Sequence, residues 1–196
     1  MFRRNLIPVW AGIMILSGMF LMGQETWPPQ LTKRPVPDTG ITECYDYTQV
    51  IECPAPGQPF YGQDAQYETN PMSFTVSPDG QTVTDNVTDL VWQREDDNTP
   101  RTWANAIWYC GALTLGGYAN WRLPDVKELR SIVDNTRYNP PIDTTVFPGT
   151  IPQEYWSSST SANLTYYAWD VWFLNGYVDN YGGDKTTSTN YVRCVR

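Results

Sequence analysis

The order of apolar and polar positions divides the chain into stretches of different character. Residues 6–22 are uncharged and mostly apolar, with Arg3 and Arg4 just before them. Residues 24–40, "QETWPPQLTKRPVPDTG", have no periodicity and many prolines, which predicts an extended linker. Over residues 74–92, β-branched runs are broken by turn residues at Pro78-Asp79-Gly80 and Asp85-Asn86, the pattern of short strands. The period then changes. Trp103, Ala106, Ile107 and Cys110 fall at i, i+3, i+4 and i+7, one face of a helix with Thr102 as N-cap and Gly116-Gly117 beyond its end. In "LPDVKELRSIVDN", Asp125 and Glu128 are spaced as the two halves of a capping box, and Val126, Leu129, Ile132 and Val133 form the buried stripe of a second helix. After Asn135 the helical period stops, and "YWSSST", "YYAWDVWFLNGYV" and "NYVRCVR" read as strands between Asn, Gly, Asp and Ser turns. Alternation along "YYAWDVWF" assigns Tyr167, Trp169, Val171 and Phe173 to the core and turns Tyr166, Ala168, Asp170 and Trp172 outward.

These patterns set the domain organisation. Residues 1–23 have the charge and hydropathy of a signal peptide or a retained N-terminal anchor, residues 24–40 are the proline-rich linker, and residues 41–196 form one domain. The domain is thereby expected to be secreted, periplasmic or on the cell surface, touching a membrane only through a retained anchor.

Cysteine usage agrees with an oxidising compartment. Cys44, Cys53, Cys110 and Cys194 are four in number, have no C-x-x-C spacing, and occur in a chain without histidine, so disulfides are expected in place of a metal site. Cys44 and Cys53 flank a short polar hairpin and are the natural local pair. Cys110 on the helix and Cys194 on the last strand both face inward and form the long pair.

Formal charge is −8, which argues against nucleic acid, anionic membranes or sulfated glycans as partners through bulk electrostatics. The lack of histidine removes Ser-His and Cys-His pairs, and cysteines held in disulfides cannot be nucleophiles. No enzyme activity, catalytic residue or metal ligand is therefore assigned. Glu95 with Asp96, and Asp179 with Asp184, read as solvated loop charges. Calcium on such acidic turns is the one cofactor the pattern admits.

Assembled in order, "CYDYTQVIEC", "GQDAQY", "VTDNVTDLVWQ", "WANAIWYC", "GGYANWRLPDVKEL", "YWSSST", "AWDVWF" and "YVRCVR" resemble the bacterial domain family named after the C-terminal domain of the Legionella collagen-like protein. The resemblance implies an α+β, C-type-lectin-like fold in which two helices flank irregular antiparallel β-sheets. Asp89 stands where the family has glycine before its Leu-Met-Trp turn, which predicts a turn without a left-handed residue. The collagen stalk of the named member is absent, as are the "EPN" and "WND" ligand tripeptides of true C-type lectins.

The aromatic residues point to recognition. Tyr166, Asp170, Trp172, Asn175, Tyr177, Asp179, Asn180, Tyr181 and Asp184 combine rigid planes with amides and carboxylates, a composition suited to stacking on sugar rings or adapting to a protein surface. The expected partner is a glycan or a cell-surface protein. The alternative is a structural subunit of an envelope or extracellular assembly that uses the same patch to self-associate. Trp92, Trp103, Trp108, Trp121 and Trp156 are expected in or near the core, and Arg122 to pair with a carboxylate or capping carbonyls.

Overall fold

The computed structural model describes residues 35–67 and 69–196. The expected signal peptide or anchor, and the linker as far as residue 34, lie outside the described residues.

Antiparallel hairpins build most of the sheet structure. Strands β1 (Cys44–Tyr45) and β2 (Val50–Ile51) pair with Cys44 opposite Ile51. The Cys44–Cys53 disulfide closes this small unit, with Cα atoms 5.1 Å apart. Strands β3 (Phe74–Val76), β4 (Thr82–Asp85) and β5 (Val91–Gln93) form a second sheet in sequence order. Its β4–β5 turn corrects the expectation raised by Asp89, which adopts φ +58°. A short polar side chain tolerates that region, and the Asp89 amide donates to the Asp85 carbonyl at 2.9 Å. The Asp85 carboxylate completes the turn by accepting from the Val87 amide and the Thr88 hydroxyl at 2.9 and 2.6 Å.

Helix α1 (Trp103–Ala112) buries Ala106 and Cys110. Thr102 occupies the N-cap position with extended backbone, but its side chain makes no capping bond. Trp108 corrects the core assignment of the tryptophans: it is 72% exposed, on the outer surface with Ile107, whereas Trp92, Trp121 and Trp156 are buried. Helix α2 (Val126–Arg130) is short and begins with the full capping box. Asp125 Oδ1 accepts from the Lys127 and Glu128 amides at 2.8 Å, and Glu128 Oε2 accepts from the Asp125 amide at 2.9 Å. Arg122 grips the same Glu128 with two bonds of 2.7 Å. The apolar stripe outlasts the helix, since Leu129, Ile132 and Val133 are all buried although the last two lie beyond its end.

Strands β6 (Glu154–Thr160), β7 (Ala168–Trp172) and β8 (Tyr177–Asp179) form the third sheet, with β7 in the centre. Alternate residues of β6 and β7 enter different apolar clusters. Tyr155, Val171 and Phe173 join Leu129, Ile132 and Val133, while Trp156 and Ala168 join Ala106, Cys110 and Trp121. The sheet thus has a covered surface on both sides.

Residues 190–196 differ from the expected terminal strand. They make isolated bridges instead, between Asn190 and Arg101, Tyr191 and Tyr155, and Val195 and both Trp92 and Arg122. Each bridge meets a different part of the fold, so no one neighbour extends it into a ladder. The Cys110–Cys194 disulfide, with a Cα separation of 5.5 Å, ties this segment to α1 across 84 positions of sequence.

Arg193 is completely buried in the same segment. Its guanidinium donates to the Gln93 carbonyl at 2.8 Å, to the Arg94 carbonyl, to Thr150 Oγ1 at 2.8 Å and to Asp96 Oδ2 at 2.9 Å. Tyr155 donates its hydroxyl to the same Asp96 oxygen at 3.0 Å. Asp96 is therefore a buried ion-pair partner and not the solvated charge its loop position implied. Among the described residues the architecture is α+β, with few helices, small antiparallel sheets and two disulfides.

Candidate functional site

The central strand β7 explains which expected site residues meet. Cross-strand register places Glu154 opposite Trp172 and Trp172 opposite Tyr177. Facing side chains on neighbouring strands have Cβ atoms about 4.5–5.5 Å apart, so these three residues form a row across one face of the sheet. Trp172 is half-buried, while Tyr177 is 66% exposed and open to a partner. The next row on that face carries Trp156, Asp170 and Asp179.

Asp170 is corrected from the exposed face to the interior: it is 0% exposed. Alternation gave its direction but not what lies over it. The turn at Gly182 and Gly183 folds back onto β7, and a Cβ at Gly182 would stand 3.5 Å from Asp170 Oδ2 and 3.5 Å from Glu154 Cγ. Gly183 is held closer still. Its carbonyl accepts from the Ala168 amide at 2.9 Å, and a Cβ there would lie 2.1 Å from the Ala168 carbonyl oxygen. Only glycine fits that approach.

Both carboxylate oxygens of Asp170 lack a hydrogen-bond partner, as does the buried indole N–H of Trp172. Burial, then the Asp179 and Glu154 carboxylates, push the Asp170 acid up to about 8. Ionisation without a partner would cost too much in this setting.

The remaining expected residues divide by role. Tyr181 is 92% exposed, and its amide donates to Asp179 Oδ1 at 3.0 Å. Tyr166 is exposed, with its ring 4.7 Å from that of Tyr167. Asn175 accepts from the Tyr177 amide at 3.1 Å and shapes the β7–β8 turn beside Gly176, whose φ is +80°. Asn180 donates to Ser161 Oγ at 3.0 Å. Asp184 accepts from the hydroxyl and amide of Thr186 at 2.7 and 2.8 Å, bonds that favour its ionised form and hold its pKa below the usual carboxylate value. Asn175, Asn180 and Asp184 thus hold the loops that frame the row.

Glu154 was missed in the sequence. Nothing local marks it, because only the β6–β7 register brings it against Trp172. A separate cleft of about 570 Å³ lies between residues 35–39, Met72, Leu90, Val126, Val133 and Val178, and none of the expected site residues lines it. Among the described residues, no three acidic or thiol side chains stand close enough together to hold a metal ion.

A family model for the Lcl C-terminal domain matches residues 81–196, more than half of the chain and all of this site. The chain belongs to the Lcl C-terminal domain family. This Lcl C-terminal domain match places the protein in a bacterial family and begins after the Cys44–Cys53 hairpin. Comparison with curated proteins gives no match.

Proposed function

We propose that the protein is an exported, non-enzymatic recognition domain of C-type-lectin-like fold that binds a glycan on the row of Glu154, Trp172 and Tyr177. The observation that carries this reading is the cross-strand register, which sets an indole and an exposed phenol side by side with a carboxylate at one end. Aromatic faces stack on the C–H faces of sugar rings, and the carboxylate accepts hydroxyl hydrogen bonds. Two features support the lectin-like reading: α1 and α2 pack beside small sheets, and the late segment is stapled back to α1. Two disulfides favour an oxidising compartment, and among the described residues no helix is long and apolar enough to cross a membrane.

A glycan array on the protein, compared with Tyr177→Ala and Trp172→Ala, tests the reading. Loss of a bound glycan in Tyr177→Ala with the fold retained supports it; no bound glycan, or binding unchanged in both variants, removes it.

A second reading, self-assembly in an envelope or extracellular structure, draws on Trp108 and Ile107, adjacent and exposed on α1. Native mass spectrometry separates the two: a concentration-dependent oligomer lost in Trp108→Ser favours assembly, and a monomer at all concentrations rejects it.

A further inference from the structure

We infer that the cleft between residues 35–39 and α2 binds a single-chain fatty acid, its acyl chain on the apolar floor and its carboxylate at Lys127 and Arg130. This site is separate from the sugar platform proposed above and does not rest on it.

The floor of the cleft is Leu90 and Val133, both buried members of the larger apolar cluster. Its walls are Met72, Val126 and Val178 together with the extended segment at Val36. Val178 is exposed and Val36 is 79% exposed, so apolar side chains stand open to solvent around a floor of core residues. A volume of about 570 Å³ falls within the range of about 300–1,000 Å³ that small-molecule sites occupy, and such sites are mainly apolar with a few polar groups.

The wall at residues 35–39 is fixed in place. The Asp38 amide donates to the Asn70 carbonyl at 2.8 Å, Asn70 Nδ2 donates to the Val36 carbonyl at 3.3 Å, and the Asn135 amide donates to the Thr39 carbonyl at 2.9 Å. Gly40 follows with φ +85°, and a Cβ there would stand 2.8 Å from Asp134 Oδ1, so this segment lies close against the chain that follows α2. A cleft held in this way exists before a ligand arrives, which spares the ligand the cost of ordering it.

Charge selects the ligand. Lys127 and Arg130 both line the cleft, and among the described residues neither forms an ion pair. Arg130 is half-buried and donates to neutral acceptors, Asn135 Oδ1 at 2.8 Å and the Val133 carbonyl at 3.5 Å. Burial lowers its pKa, as expected of a guanidinium withdrawn from water with no carboxylate to offset the loss. The carboxylates of the lining are already engaged. Glu128 is gripped by Arg122, and Asp38 accepts from the Thr39 and Thr69 amides at 2.7 and 3.2 Å. With the Arg122–Glu128 pair balanced, two cations stand against one carboxylate, in a chain whose formal charge is −8. An entering carboxylate would make charge-assisted bonds there while its hydrocarbon tail leaves water for the floor and walls. A sugar has no tail for Leu90 and Val133, and a cationic amphiphile would meet like charge.

Calorimetric titration of the full chain with dodecanoate, dodecanol and dodecyltrimethylammonium tests this, with the methyl NMR signals of Met72, Leu90, Val126 and Val178 recording where each one binds. Dodecanoate should shift those four signals and bind at least about tenfold more tightly than dodecanol. Decanoate should bind roughly tenfold more weakly than dodecanoate, the effect of two fewer buried methylenes. Lys127→Gln combined with Arg130→Gln should erase the preference over dodecanol, and Val178→Asp should abolish binding of the tail. Val36→Asp makes the same test at a residue outside any strand or helix, where the fold is least exposed to the change. Equal affinity for dodecanol or for the ammonium removes the anionic headgroup and with it the inference. Dodecanoate that does not bind, or that binds without moving the four signals and survives both aspartate variants, overturns it as well.

Discussion

Arg193 and Asp170 are both wholly buried and solve the problem of a buried charge in opposite ways. Arg193 is met by two carbonyls, a hydroxyl and the Asp96 carboxylate, which compensate its guanidinium inside the fold. Removing one member of such a pair leaves the other uncompensated, at a cost of about 3–5 kcal/mol. Urea unfolding of Asp96→Ala and Arg193→Ala should each show that loss, and the double variant should lose less than the sum. Asp170 has no such partner and holds its proton. Its folded value, about 8, lies above that of an unfolded aspartate. The stabilisation is complete below the unfolded value, near 4, and is lost as pH rises toward 8. Unfolding midpoints measured across that window should fall for the native protein, and Asp170→Asn should flatten the slope; parallel curves for the two proteins would contradict this assignment.

At the scale of elements, local chemistry predicted most where it acted alone. The capping box of α2 was legible because Asp125 and Glu128 bond to each other's backbone within one turn. Asp125→Ala should cost about 1 kcal/mol, read as a lower thermal unfolding midpoint, with little effect on sugar binding. The β3–β5 hairpins and the inward phase of Cys110 were legible for the same reason. Strand β7 was not: period-two alternation separates its faces but does not encode that both are covered, which is why it turns Asp170 outward where the fold buries it. Trp108 departs in the reverse sense: its large apolar ring favours the core, but the helix face that buries Ala106 and Cys110 leaves it outside. Glu154 required β-sheet register, and Arg193 required partners far away in sequence; neither is encoded in any short window.

At the scale of the molecule, the Cys110–Cys194 bond constrains most of the site between its ends. Substituting both cysteines by Ala should destabilise the domain by about 2–5 kcal/mol. Hydrogen exchange should then quicken first at residues 190–196, whose isolated bridges have no ladder to support them. Exchange unchanged there would show that the buried Arg193 contacts suffice to hold the segment. That segment also fixes the order of events in the life of the chain. Arg101, Trp92, Arg122 and Tyr155, which it joins, are all synthesised before it. The domain cannot seal its interior while residues 190–196 are still being made, and Cys110 must wait for Cys194 to be oxidised correctly. The Cys110 thiol thus has to stay unpaired, and the hollow it faces unfilled, until a partner 84 positions further along the chain exists.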